Sequence, residues 1–196
     1  AGHALVATLL PHADPVHKVT ILPTGQALGV TMQLPEERHA YTKEYIEDRL
    51  AVLFGGRMAE DNVFGVISTG ASNDLMQGTE LARKMVTEWG MSERVGPRAW
   101  GSNAQIFLGD DLMSGREYSE DTARIIDEEV QRILVEQEHR AKKTLVENRS
   151  ALDRIAAALL DKETIDGNDI AKLIPEPTSD LAEGLNADLD TLGPEL

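Results

Sequence analysis

AGHALVATLL, residues 1–10, decides how this chain is read. Ala4, Leu5, Val6, Ala7, Leu9 and Leu10 are apolar nearly all round a helix. A helix apolar on every side belongs inside a protein rather than on its surface. The stretch therefore predicts a buried helix ending near Pro11, with the rest of the chain packed around it. His3 stands at its start. A histidine there is either a satisfied core residue or half of a metal-binding pair. In such a pair a second histidine lies four residues earlier on the same helical face, with a glutamate beside it. That position falls before Ala1, so both readings stay open on the residues alone.

Outward from that helix, the chain reads as mainly α with a small β-hairpin or sheet near the N-terminus. Val16 to Leu22 and Ala27 to Leu34 alternate loosely and are β-branched enough for two short strands, with Pro23-Thr24-Gly25 as the turn between them. Thr42 caps the next helix, and Glu44 sits in its first turn. Ile46, Leu50, Leu53, Phe54 and Met58 recur at three and four, which predicts one buried face and an end at Glu60 and Asp61. Val63 to Ile67 reads as a short extended segment. The polar stretch STGASNDL, residues 68–75, leads into a helix to about Trp89, closed by Gly90. Residues 91–116 form a long loop rich in Gly, Ser and Asn. Ser119 opens a long helix to about Asn148 with one solvated Glu/Arg/Lys face. A helix over about 150–161 and a short one capped by Asp166 follow.

Composition narrows the function. The 196 residues carry a formal charge of −15 at 41% hydrophobic and 27% charged content. A chain this acidic lacks the basic face of a nucleic-acid groove and would be repelled from an anionic membrane. The absence of cysteine removes disulfides and thiolate metal sites. No apolar run reaches the ~20 residues that span a bilayer. No Walker loop, GxGxxG or GxSxG is present. His12 and His17 are spaced across a loop, too unspecific for a metal pair. Residues 176–196 hold six acids and no Lys or Arg, the composition of a disordered acidic tail. Asp74 and Glu60, on pattern alone, are a helix-start acid and a solvated helix end.

Taken together, seven segments in order resemble the peptidase domain of the FtsH family of AAA+ zinc proteases. They are AGHALVA (1–7), DPVHKVTILP (14–23), ALGVTMQLPE (27–36), LAVLFGGRMAED (50–61), STGASNDL (68–75), TELARKMVTEWGMSERVGP (79–97) and LLDKETIDG (159–167). The first resembles the end of that family's HEAGHA motif. The likeness runs from Ala1 to about Ile174, giving a peptidase domain over 1–175 and the tail over 176–196.

The resemblance implies a Zn²⁺ site with His3 as the second histidine ligand and Asp74 as the third ligand. Glu60 is a weaker metal candidate. It implies that Gly29, Val30, Thr31 and Met32 belong to an edge strand that holds unfolded protein substrate by strand addition. It implies ATP-dependent proteolysis of unfolded, misassembled or membrane proteins by a homo-hexamer at the cytoplasmic face of the bacterial inner membrane. ATP would bind an ATPase module absent from these residues. The first histidine ligand and the general-base glutamate of the motif would precede Ala1, so the expectation for these 196 residues alone is an inactive, truncated peptidase domain with weak or absent zinc. Two other readings stand beside it: a helical ring-assembly domain, and an adaptor that binds through the 91–116 loop or the tail.

Overall fold

A computed structural model describes residues 1–23, 29–35, 37, 39–99 and 118–175. Its first helix, α1 (Gly2–Leu9), buries Ala4, Leu5, Val6 and Ala7, as an all-apolar helix must. Fully burying side chains of the size of Leu5 or Val6 is worth ~1.5–3 kcal/mol each. Two strands follow, β1 (Val16–Thr20) and β2 (Val30–Gln33), antiparallel. Both are shorter than the alternation predicts. The predicted turn at Thr24 and Gly25 lies outside the described residues.

Helix α2 (Lys43–Phe64) starts where Thr42 accepts a hydrogen bond from the Tyr45 N–H at 3.3 Å. It overruns the predicted end at Glu60 and Asp61. Gly65 stops it, at φ +65°, with its N–H on the Asp61 carbonyl at 3.0 Å. The extended segment expected over Val63 to Ile67 is therefore not formed, since Val63 and Phe64 are still helical. A single 3₁₀ turn (Thr69–Ala71) then leads into α3 (Ser72–Thr87). Gly90, at φ +62°, reverses the chain so that the Met91 N–H reaches the Met85 carbonyl at 2.9 Å.

Helix α4 (Glu120–Glu147), capped by Ser119, is 28 residues long and the spine of the domain. At 1.5 Å per residue it spans about 42 Å. Its apolar side closes two cores. One gathers Leu5, Val6, Phe54, Leu145, Ile155 and Ile170; the other gathers Ile46, Leu50, Met85, Ile126 and Ile133. Its polar side is less uniformly solvated than its composition predicts. Glu129 is 1% exposed and accepts from Ser92 at 2.7 Å and from Arg94 and Arg132. Burial disfavours the charged form of Glu129, but the hydrogen bonds from Arg132 and Ser92 outweigh it and hold the carboxyl below the ordinary range. That anchor fixes the start of the predicted long loop, of which residues 100–116 lie outside the described part.

The chain closes with α5 (Arg149–Lys162), β3 (Thr164–Asp166) and α6 (Gly167–Leu173), the last capped by Asp166 on the Asp169 N–H at 3.0 Å. β3 was not foreseen. It pairs antiparallel with β1, so the sheet order is β2-β1-β3. Gly167 is needed at this corner, because a Cβ there would collide with the Val16 carbonyl oxygen. The acidic stretch 176–196 lies outside the described residues. Among the described residues no helix is long and apolar enough to cross a membrane.

Candidate metal centre

Two helices and one turn bring His3 and Asp74 together. His3 lies in the first turn of α1, whose backbone is pressed onto the middle of α2. A Cβ on Gly2 would strike the Gly55 carbonyl oxygen, and a Cβ on Gly55 would stand 3.0 Å from the His3 Cα. A Cβ on Gly56 would run into the His3 ring itself. Two glycines inside a helix cost ~0.5–1 kcal/mol each relative to alanine. Here they let the backbones touch, and they give the imidazole a flat floor to lie on.

Asp74 is the third residue of α3, in the first turn, where the helix dipole favours a carboxylate. Its Oδ2 lies 3.1 Å from the His3 Nε2, across 71 residues of sequence. The side chains remain 33% and 27% exposed, so the pair faces an opening rather than the core.

The spacing fits a metal. Histidine nitrogen and carboxylate oxygen bind Zn²⁺ at ~2.0–2.2 Å, so two ligands at tetrahedral positions stand about 3.3 Å from each other. The donor types are also those zinc accepts. Among the described residues no third His, Asp or Glu joins them to complete a metal-binding group.

Glu60 is not brought to the pair. Its Oε2 accepts instead from the Ser68 hydroxyl at 2.8 Å and the Ser68 N–H at 3.3 Å. His12 lies against Asp48, its ring Nδ1 3.6 Å from the carboxylate. Its N–H donates to the Asp48 Oδ2 at 2.8 Å, and Arg140 holds the other oxygen of Asp48. Sequence reasoning missed Asp48, which sits in an ordinary amphipathic helix with its cation 92 residues away.

Val30, Thr31 and Met32 lie on β2, at the edge of the sheet, and Met32 is 49% exposed. Gly29 stands just before the strand. Its Cβ would come within 2.7 Å of the Thr20 carbonyl oxygen, so a close approach of β1 already accounts for that glycine.

A mainly helical domain that presents a histidine and an aspartate at ligand spacing offers two of the donors a metal site would need. The model of peptidase family M41 matches residues 1–173, and the chain is a member of that family. It is 60% identical over 176 residues to the ATP-dependent zinc metalloprotease FtsH of Acidimicrobium ferrooxidans, covering 89% of this chain and 27% of that protein. To the protein of the same name in Acidobacterium capsulatum it is 54% identical, again over 89% of this chain and 27% of the relative. To FtsH 2 of Salinibacter ruber it is 48% identical over 92% of this chain and 27% of the relative. The chain thus spans about a quarter of the length of the curated relatives it matches.

Proposed function

We propose that this chain is the proteolytic domain of an ATP-dependent zinc endopeptidase, and that His3 and Asp74 are two of its zinc ligands. The observation that carries the reading is the 3.1 Å approach of His3 Nε2 to Asp74 Oδ2 from opposite ends of 71 residues. When bound, zinc supplies a Lewis acid and an acidified water. The protein's own part is to hold the two donors. The Gly56 floor fixes the imidazole plane, and the 3₁₀ turn before Ser72 aims the carboxylate.

Substrate is taken to be unfolded, misassembled or membrane-extracted protein, presented as an extended strand. The edge position of β2 supports this, since an edge strand offers unpaired N–H and C=O groups to an added strand. Unfolding by an ATPase module, assembly as a homo-hexamer and a place at the cytoplasmic face of the bacterial inner membrane complete the proposal. ATP dependence rests on the names of the relatives; the hexamer and the location rest on the family resemblance alone. With two donors and no third among the described residues, the 196 residues alone should bind zinc weakly and cleave nothing.

The test is metal content in the full-length protein. The wild type should retain one zinc per protomer through dialysis against a mild chelator, and His3→Ala should lose it while keeping its circular dichroism. Retention of stoichiometric zinc by a folded His3→Ala variant would remove His3 from the site. The isolated chain should show no cleavage of casein at any zinc concentration that leaves it soluble.

A further inference from the structure

We infer that Gln33 is a positioning residue for substrate. Its side-chain amide latches the C-terminal end of β2 to α2 through Asp14, and so sets where an added strand meets the metal centre. The inference rests on the substrate reading of β2 given above. Among the described residues β2 pairs with β1 alone. Its ladder is regular from Val30 opposite Thr20 to Met32 opposite Lys18. A bulge at His17 then intervenes, and Gln33 faces Val16. A bulge disrupts the ladder locally and bends the strand, so pairing with β1 holds the end of β2 less firmly than its start. Two other bonds hold that end. The Gln33 Nε2 donates to the Asp14 carbonyl at 2.7 Å, and the Leu34 N–H donates to the Pro15 carbonyl at 3.0 Å.

Asp14 faces two ways. Its main chain takes Gln33, and its carboxylate takes the Tyr45 hydroxyl at 2.7 Å. Tyr45 lies in the first turn of α2, and Asp48, one turn on, takes the His12 N–H at 2.8 Å. The same helix carries Gly56, against which the His3 ring lies. One rigid element therefore sets the imidazole and, through Asp14, the edge strand. By alternation from Leu34, whose N–H faces β1, the N–H groups of Thr31 and Gln33 face the open edge. An added strand would take its register from them. With the latch broken, substrate still pairs with β2, but its scissile carbonyl no longer comes to one place. A misplacement of about 1 Å can cost ~100-fold in rate.

The experiment uses the full-length protein with ATP and an unstructured peptide, and reads kcat, KM and, by mass spectrometry, the bonds cut. Gln33→Met keeps the size of the side chain and removes the amide, and Tyr45→Phe removes the hydroxyl. Each should lower kcat about tenfold with KM within about threefold of wild type. Cuts should also spread to bonds two residues from the wild-type site, since a slip of two keeps every side chain on its face. The double variant should be no worse than either single one, because both break the same link. Asp14→Asn keeps a carbonyl oxygen for Tyr45 and should cut at the wild-type bonds. If kcat and cut sites stay at wild type in both Gln33→Met and Tyr45→Phe, the inference is wrong. It is equally wrong if activity falls only as the folded fraction falls, with cut sites unchanged, for the latch would then serve stability alone. Should Tyr45→Phe fail to fold, Gln33→Met decides. Thr31→Pro tests the reading underneath. It removes one N–H from the open edge and should raise KM about tenfold, the loss of one hydrogen bond, in a folded protein. If a folded Thr31→Pro variant kept wild-type KM and kcat, β2 would not hold substrate, and the inference would fall with that reading.

Discussion

The domain holds two histidine–aspartate contacts, and they do opposite work. Asp48 on α2 has a side chain 1% exposed, takes the His12 N–H on one oxygen and is gripped by the Arg140 guanidinium on the other. Asp74 on α3 is 27% exposed and meets His3 at an opening. A buried carboxylate is tolerable only when a cation and hydrogen bonds replace the water it has lost. Asp48 has both, and so ties α2, α4 and the chain after α1 into one body. Asp74 has water and an imidazole within reach, a donor arrangement left open for something more. The carboxylate is the same in the two places, but the histidine offers Asp48 its backbone N–H and Asp74 its imidazole. Burial and the added arginine separate a carboxylate that ties helices together from the one proposed as a metal ligand.

The contrast is broken most directly by exchanging the two roles. In the full-length protein, Asp74→Asn removes the anionic donor but keeps the shape. Cleavage of casein should drop by about three orders of magnitude, the equivalent of ~4 kcal/mol, while urea stability of the domain changes by less than ~1 kcal/mol. Asp48→Ala should behave the other way. Removing one partner of a buried ion pair typically costs 3–5 kcal/mol. Arg140 is 36% exposed and can recover some water, so roughly 3 kcal/mol is expected, read as a lower urea midpoint. If Asp74→Asn unfolded the domain while Asp48→Ala left it intact, the assignment of the two carboxylates would be inverted.

How far this was legible in the sequence depends on the range of the contact. Local rules placed α1, the α2, α4 and α6 caps at Thr42, Ser119 and Asp166, and both early strands, because each signal lies within a few residues of what it controls. They misplaced the end of α2, where acids at 60 and 61 suggested a stop but the helix runs on to Gly65, whose positive φ ends it. They missed β3, which is three residues long and enters through Glu163 at φ +58°, a left-handed residue with no glycine to announce it. Gly55 and Gly56 were visible as two breakers inside a helix, but their cause, contact with α1, lies more than fifty residues away. The same distance hid the site. On local grounds Asp74 is a helix-start acid and His3 a core histidine. Only the colinear family resemblance joined them before the structure did. No local pattern could have found the link between Glu60 and Ser68, since eight residues and a change of element separate the two.

A further effect belongs to the buried side of the comparison and can be read by pH. Tyr45 is 2% exposed and donates its hydroxyl to the Asp14 Oδ2 at 2.7 Å, close to the Asp48 cluster. Burial, and then the Asp14 carboxylate that accepts its proton, push the Tyr45 phenol from 10 up to about 12. A phenol raised in the folded state favours folding while it is protonated. Its contribution is therefore complete below pH 10, the unfolded value, and is lost as pH rises from 10 through 12. A shift of this size corresponds to roughly 3 kcal/mol. Urea midpoints should thus fall across that window more steeply in wild type than in Tyr45→Phe, which has no proton to lose. Ultraviolet titration of phenolate should show one of the three tyrosines ionising near pH 12, and that step should vanish in Tyr45→Phe. Asp14→Asn removes the repelling charge, so the step should move down toward 10 while part of the shift, the part owed to burial, remains. If the step stayed at 12 in Asp14→Asn, burial alone would set it. The Asp14 carboxylate would then be a passive neighbour, and the buried side would hold one working carboxylate, Asp48, against the one at the opening.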